Sequence, residues 1–187
     1  MHKFHHGNWE KLEGEERRKL IPPDITLRKF GLKDGMTFLD IGAGTGFFSR
    51  EAAKIVGQKG KILAAEMSDE MINRMKTIGL PSNVSVLRSE EYKIPLNDSS
   101  ADMTWISFVT HETADVPRFL QEAARVTRNG GTIVIVDWKK QEEEQGPAKE
   151  ERLSQEKLRT LLEQFSIKGE GSLNASHYYF EVDVKKP

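Results

Sequence analysis

A short glycine-rich segment, residues 38–46, constrains the fold of this chain more than any other part of the sequence. It reads FLDIGAGTG, so that four mostly apolar residues lead directly into three closely spaced glycines. Glycine permits a tight turn between a buried strand and a helix and leaves backbone amides facing outward. The segment therefore predicts a strand, a loop that can hold a ligand, and a helix, in that order.

Strand and helix patterns alternate through the middle of the chain. Apolar and β-branched runs predict strands at residues 36–41, 60–66, 83–88, 101–108 and 132–138. Apolar positions spaced by three and four predict helices between them, at residues 46–56, 68–78 and 115–127. Together with two further strands near the end of the chain, this order predicts a single α/β domain. The expected fold is a Rossmann-like, seven-stranded, mostly parallel sheet with helices on both faces and an antiparallel last strand.

The two ends of the chain fall outside this alternation. Residues 1–35 carry a charged helix candidate at 10–20 and a second short helix, and they precede the core of alternating strands and helices at residues 36–138. Residues 139–153 have no apolar face and predict a charged linker or mobile loop.

The remaining residues, 154–187, predict a helix followed by a β-hairpin. Ser154 is a suitable N-cap for a helix at residues 155–164. Strands at residues 165–171 and 177–185 are joined by Gly-Ser-Leu-Asn, a sequence typical of turns, and this predicts an antiparallel pair.

Charge and cysteine content exclude several functional classes. The 28 basic and 29 acidic residues give a net charge of −1, which argues against nucleic acid as the main partner. The chain has no cysteine, so disulfides, thiolate nucleophiles and thiolate metal sites are ruled out. Without an apolar membrane span or a secretory signal, a cytoplasmic protein with no membrane partner is expected.

The residues around the glycines indicate which ligand the loop holds. A dinucleotide fingerprint, G-x-G-x-x-G, would place its third glycine where this chain has Phe47. Asp40 would repel a pyrophosphate at the mouth of the loop but would attract a ligand that carries an ammonium group, such as S-adenosylmethionine. Glu66, at the end of the second predicted strand, can accept hydrogen bonds from ribose hydroxyls with either cofactor.

On these residues the sequence resembles the class I S-adenosylmethionine-dependent methyltransferases, in particular the small-molecule branch similar to enzymes of ubiquinone and menaquinone biosynthesis. The resemblance is carried by DIGAGTG, by AAEMS at residues 64–68, by SEEYKIPLNDSSAD at 89–102 and by ARVTRNGGTIVIVDW at 124–138. It implies an enzyme that transfers a methyl group from S-adenosylmethionine to oxygen, carbon or nitrogen of a small-molecule acceptor.

The resemblance also implies a role for individual residues. Asp40 and the loop backbone would hold the methionine part of the cofactor, Glu66 the ribose, and Met67 would pack on the adenine. Glu90 or Glu91 would contact the adenine amino group, where most of the family carries Asp, and two residues at the end of the fourth strand would line the methyl-transfer side. The expected cofactor-binding residues are Asp40, Gly42, Ala43, Gly44, Gly46, Glu66, Met67, Glu90, Glu91, Ser107 and Phe108.

His111, just after the fourth predicted strand, is the candidate catalytic residue. An imidazole with a pKa near neutrality can take a proton from an acceptor, although a loop histidine that only shapes the pocket fits the sequence equally well. The resemblance implies that residues 1–35 form a helical cover over the cofactor-binding core at residues 36–138. The N-terminal histidines, His2, His5 and His6, with Phe4 and Trp9, are therefore expected to belong to a lid rather than to a metal site, and no metal is expected. The basic group at residues 17–19 predicts a solvated helix face.

Three other functions stay open at this point. A non-catalytic protein that binds S-adenosylmethionine would carry the same loop, and an NAD-dependent oxidoreductase would share the strand, loop and helix. An RNA methyltransferase is disfavoured by the balanced charge. Within the family, SFVTHE after the fourth strand lacks the Asn/Asp-Pro-Pro-aromatic motif of the N-methylating branch, and the lack of cysteine argues against an arsenite methyltransferase.

Overall fold

The computed structural model of the chain describes residues 9–186, apart from the side chains of Glu10 and Lys11. His2, His5, His6 and Phe4, predicted to form part of a lid, lie outside the described residues. The strands are β1 (Thr37–Ile41), β2 (Lys61–Glu66), β3 (Val84–Arg88), β4 (Ala101–Ser107), β5 (Thr127–Trp138), β6 (Ser166–Ser172) and β7 (His177–Asp183). The α-helices are α1 (Trp9–Glu13), α2 (Glu15–Leu20), α3 (Pro23–Lys29), α4 (Phe47–Val56), α5 (Asp69–Ile78), α6 (Val116–Val126) and α7 (Gln155–Leu161).

The seven strands form one sheet in the order β3-β2-β1-β4-β5-β7-β6. The first five pair in parallel, whereas β7 runs antiparallel to both β5 and β6. This confirms the predicted α/β fold with an antiparallel last strand. Because parallel strands end at the same edge of a sheet, the residues that follow β1, β2, β4 and β5 come together there.

Side chains of the central strand β1 alternate between two hydrophobic clusters, one on each face of the sheet. Leu39 and Ile41 pack in the cluster that contains residues of α6, and Phe38 packs in the cluster that contains Phe47 and Phe48 of α4. With a side-chain period of two, Asp40 shares its face with Phe38. A carboxylate is thereby placed on a buried face of the sheet, beneath α4.

The helical cover differs from the sequence prediction in one respect. The charged helix predicted at residues 10–20 is two helices, α1 and α2, separated by Gly14 in an extended conformation. Within residues 9–186 no helix has both the length and the apolar character needed to cross a bilayer.

Strand β5 begins five residues before its predicted start, and the hairpin turn lies later than predicted. The early part of β5 pairs Thr127 with Ala101 before a register shift, an irregularity that apolar patterning does not reveal. Strand β6 extends through Ser172, so that the turn of the last hairpin is formed by residues 173–176.

The charged segment 139–153 is folded around one of its own arginines, and Lys139 and Gln141 connect it to the turn of the last hairpin. Arg152 is buried and donates hydrogen bonds to the carbonyls of Pro147, Lys139, Gln141 and Gln145, and to the carboxylate of Glu143. Its guanidinium also lies 5.0 Å from the centroid of the Trp138 ring. A segment without an apolar face is therefore ordered by polar contacts, several of them to a single side chain.

Replacing Arg152 by methionine should lower the free energy of unfolding by about 2–4 kcal/mol, because several partly buried carbonyls lose their donor together. Urea unfolding measures this change. Lys149→Met is the matched control, since Lys149 is a cation of the same segment whose ion pair with Glu142 is largely exposed. Equal stabilities of the two variants would show that Arg152 does not organise the segment.

Candidate active site

The loop after β1 is built on three glycines with positive φ: +71° at Gly42, +57° at Gly44 and +83° at Gly46. A side chain at Gly42 would overlap Val109, so this glycine is required by the packing of the loop against the end of β4. A Cβ atom at Gly44 would meet only Leu12 of the cover, at 3.9 Å. Gly44 is thus the point where the loop backbone is open beneath the cover.

Asp40 is a buried carboxylate at this loop, with 2% of its surface exposed. It accepts a hydrogen bond of 2.6 Å from the hydroxyl of Ser49 in α4. Burial raises the pKa of Asp40 to about 6, although the Ser49 hydrogen bond and the charge of Arg17 oppose this shift. Among the side chains that the structure describes, no cation lies within ion-pair distance of it, and the site can therefore take a cationic ligand.

Glu66, at the end of β2, turns its carboxylate toward the same loop. One oxygen accepts a hydrogen bond from the amide of Gly44, and the other accepts from the amides of Met67 and Ser68, each at 2.8 Å. Three backbone donors fix the orientation of this buried side chain. Glu66 therefore lies against the glycine loop.

The cover contacts the loop through polar groups of α1. Glu13 accepts hydrogen bonds from the Thr45 hydroxyl and from Arg50, and Arg50 also donates to the carbonyl of Thr45 at 2.6 Å. At the start of α1, the Trp9 ring lies 3.4 Å from the guanidinium carbon of Arg74 in α5. Helix α1 thus packs against the glycine loop and α5.

The prediction of a solvated helix face at residues 17–19 is wrong for Arg17. Arg18 and Lys19 are exposed, but Arg17 is partly buried, with its guanidinium carbon 4.6 Å from the centroid of Phe47 and 5.5 Å from that of Phe108. In the first turns of a short charged helix, sequence alone does not indicate which cation faces the core, because α2 has no apolar stripe to orient it.

His111 lies on a 3-10 helix, Thr110–Glu112, that follows β4. Its Nδ1 atom is 2.7 Å from a carboxylate oxygen of Asp137 in β5, and the other Asp137 oxygen accepts from the Thr110 hydroxyl and the His111 amide. Burial lowers the pKa of His111, but the charge and hydrogen bond of Asp137 raise it more, and the net shift is upward. Because the carboxylate accepts, Nδ1 carries the proton and Nε2 is the basic nitrogen of the neutral ring.

Three aromatic rings lie beside His111 at the same edge of the sheet. Phe108 adopts a φ of +61°, and its ring packs against Trp138 and His177 at centroid distances of 5.5 and 4.9 Å. A positive φ costs a non-glycine residue about 1–2 kcal/mol, so the surrounding packing holds this backbone in place. The rings form an apolar wall next to the glycine loop.

The other predicted residues have diverse surroundings. Ala43 and Ser107 are buried beside the loop, and Met67 is 38% exposed. Glu90 is exposed, and its backbone forms a bridge with Lys93. Glu91 instead accepts hydrogen bonds from the Tyr92 hydroxyl and the Ala114 amide, which tie it to the loop before α6.

Sequence reasoning missed four residues of this edge: Glu13, Arg17, Arg50 and Asp137. Asp137 had a detectable signal, since it is an acidic residue that follows the apolar run TIVIV at the end of a predicted central strand. The other three depend on how the cover docks, for which the sequence offers no local signal.

Replacing Asp40 by asparagine should stabilise the ligand-free protein above pH 6. The folded pKa of about 6 lies above the reference value of 3.8, so the folded chain binds the proton more tightly and stability falls as the pH rises between these values. Above this window, Asp40→Asn is expected to raise the free energy of unfolding by about 1–3 kcal/mol. Urea unfolding from pH 4 to pH 8 measures the effect.

Asp69→Asn is the control for this experiment, because the Asp69 side chain is 77% exposed. Its pH dependence should match that of the wild type. An Asp40→Asn protein that is less stable than the wild type at pH 7.5 would contradict the expectation and show that the buried anion is stabilising.

Comparison with known proteins identifies the family. Residues 39–135 match the family described as "Methyltransferase domain". One similar solved structure is described as a SAM-dependent methyltransferase from Aquifex aeolicus. The two sequences are 36% identical, and the structures superpose with a TM-score of 0.91 over 97% of this chain and 100% of the Aquifex chain. The ubiquinone/menaquinone biosynthesis C-methyltransferases UbiE of Klebsiella pneumoniae and Vibrio vulnificus are 27% and 28% identical over 120 residues, or 62% of this chain.

The chain spans about half the length of these curated relatives, 48% of the Klebsiella protein and 46% of the Vibrio protein. The match to the family extends from β1 to β5 and includes the glycine loop, Asp40 and Glu66. Between the two cofactor classes considered from the sequence, the comparisons favour S-adenosylmethionine over NAD. The chain belongs to the methyltransferase domain family.

Proposed function

We propose that this protein transfers the methyl group of S-adenosylmethionine to a small-molecule acceptor at the carboxyl edge of its sheet. The observation that carries the proposal is the buried Asp40 carboxylate beside the open backbone of Gly44. The relatives named as ubiquinone/menaquinone biosynthesis C-methyltransferases support a small acceptor, and the net charge of −1 does not favour nucleic acid.

The residues at the loop fit the cofactor in charge and in space. Asp40 would accept hydrogen bonds from the ammonium of the methionine part, which also removes the cost of an unpaired buried anion. The loop backbone at Gly42, Ala43, Gly44 and Gly46 would face the same part of the ligand. A side chain at Gly44 would take up the space between the loop and Leu12 that the proposed ligand would need.

Glu66 would hold the ribose, but its carboxylate has few free positions left to accept hydrogen bonds. A carboxylate has about four acceptor positions, and three are already used by backbone amides. One ribose hydroxyl can take the remaining position, and a second must displace an amide. The Gly44 amide is the donor that lies on the ligand side, and its release would couple ribose binding to the loop. Met67 and either Glu90 or Glu91 would contact the adenine.

The cofactor supplies an electrophilic methyl group on a sulfonium. The protein's part is to orient the acceptor, exclude water and, where the acceptor must lose a proton, receive that proton. Ser107 and Phe108 at the end of β4 would line the transfer side, and the Phe108 and Trp138 rings, which pack on the buried His177, offer an apolar wall for an acceptor. His111 would take the proton on Nε2, while Asp137 holds the ring and stabilises the imidazolium that forms.

Cofactor binding tests the loop assignment. Titration calorimetry with S-adenosylhomocysteine should show binding to the wild type and about tenfold or greater weakening for Gly44→Ala, because the added methyl group occupies ligand space. Gly31→Ala is the matched control, since Gly31 also has a positive φ, +88°, with open space around it. It should suffer the same backbone strain and keep wild-type affinity.

Two outcomes would contradict this assignment. No binding to the wild type would overturn the proposed cofactor site, and equal weakening in both alanine variants would show that backbone strain, not the ligand cradle, causes the loss.

The pH profile of turnover tests His111. Release of S-adenosylhomocysteine with a panel of phenols, quinols, carbon acids and amines should identify an acceptor. The rate should rise with pH through a value above the ordinary histidine pKa of 6.5, because the base must be neutral and Asp137 favours its protonated form. Asp137→Asn should move this rise to lower pH, and His111→Ala should lower the rate about 10²–10⁴-fold without changing cofactor affinity.

Glu144→Gln is the control, because Glu144 is an exposed carboxylate of the neighbouring segment. An unchanged rate in His111→Ala would show that positioning alone drives transfer. Cofactor binding with no turnover of any acceptor would favour a regulatory protein that only binds S-adenosylmethionine.

A further inference from the structure

Arg17 faces the glycine loop from the cover, opposite Asp40. It belongs to α2, and its guanidinium lies over Phe47, the first residue of α4, and near Phe108, the residue after β4. These two residues flank the mouth of the loop. The charges of Arg17 and Asp40 also act on each other's pKa, so the cation of the cover and the anion of the sheet lie near the same loop.

The guanidinium has hydrogen-bond donors to spare. An arginine side chain carries five N–H groups in a planar fork. Among the described residues, one of them is used, in a hydrogen bond of 2.9 Å to the carbonyl of Leu12. Stacking on Phe47 holds the plane of the group without using its remaining donors.

The charge of Arg17 persists at neutral pH in spite of its surroundings. Burial lowers the pKa of Arg17 to about 10, and the charges of Glu13 and Asp40 act in the opposite direction. The group is therefore a partly desolvated cation at pH 7, and an anionic ligand would gain more from it than from a fully hydrated one.

We propose that Arg17 binds the α-carboxylate of the cofactor's methionine part, while Asp40 binds its ammonium. This inference rests on the proposed cofactor site and adds a residue of the cover to it. The methionine part is a zwitterion, and the cover and the sheet present the two complementary charges across one space. The planar fork of a guanidinium matches the two oxygens of a carboxylate.

The opposing charges also decide against a simpler role for Arg17. If the guanidinium merely neutralised Asp40, it would compete with the cationic ligand, and each would weaken the binding of the other. A carboxylate between the two cations removes this repulsion. The arrangement therefore discriminates between ligands that keep the carboxylate and ligands that lack it.

A double-mutant cycle between protein and ligand tests the proposal. Calorimetry compares S-adenosylhomocysteine with its decarboxylated analogue, S-adenosyl-3-thiopropylamine, on wild type and on Arg17→Met. We expect Arg17→Met to weaken S-adenosylhomocysteine about 10- to 100-fold and to leave the affinity for the analogue within about threefold. Arg17→Lys should restore part of the loss for S-adenosylhomocysteine alone.

Arg18→Met is the matched control. Arg18 is the neighbouring cation of α2, approaches the same Phe47 ring at 5.2 Å and forms an ion pair with Glu51 on the surface. Its removal should leave the affinities for both ligands unchanged, and circular dichroism of all variants verifies that they are folded.

The other outcomes of the cycle overturn the proposal. Equal weakening of both ligands by Arg17→Met would show that Arg17 only supports the cover. Tighter binding of both ligands would show that the guanidinium occupies the place of the cofactor's cation. Failure of the wild type to bind either ligand would instead contradict the proposed cofactor site itself.

Discussion

A buried carboxylate at the end of the central strand determines how the functional edge of this molecule is arranged. Asp40 is fixed on the α4 face of the sheet by the side-chain alternation of β1, where water cannot solvate it. One hydroxyl, from Ser49, and the distant charge of Arg17 compensate for only part of that burial, and its pKa stays raised. The protein keeps a group that costs free energy in the ligand-free state, which is typical of binding sites.

The same edge contains two further buried acids, and each is compensated in a different way. Glu66 accepts from three backbone amides, one in the glycine loop and two in the turn after β2. Asp137 accepts from a hydroxyl, an amide and an imidazole. The hydrogen-bond donors to Glu66 are therefore backbone amides, whereas those to Asp137 include the titratable side chain of His111. Asp40 differs from both, because a hydroxyl is its only hydrogen-bond donor among the described side chains.

The sheet and the glycine loop could be predicted from sequence because they rest on local patterns. Period-two apolar runs and the spacing of Gly42, Gly44 and Gly46 reflect steric rules that act within a few residues. The roles of Arg17 and Arg152 could not be predicted, since both are cations in charged segments that look solvated. Their burial depends on carbonyls and rings contributed by distant parts of the chain. The start of β5 was missed for a related reason, because a register shift has no apolar signature.

The break between α1 and α2 divides the cover into two parts with different attachments. Asn174, in the turn of the last hairpin, donates a hydrogen bond of 2.8 Å to the carbonyl of Leu20, which fastens the far end of α2 to the sheet. The hydrogen bond from Arg17 to the Leu12 carbonyl crosses the break at Gly14. The cover therefore consists of two helices, of which α2 is attached to the turn of the last hairpin. Helix α1 is attached separately, through Glu13 to the glycine loop and through Trp9 to Arg74 of α5, so that the two helices of the cover depend on different parts of the core.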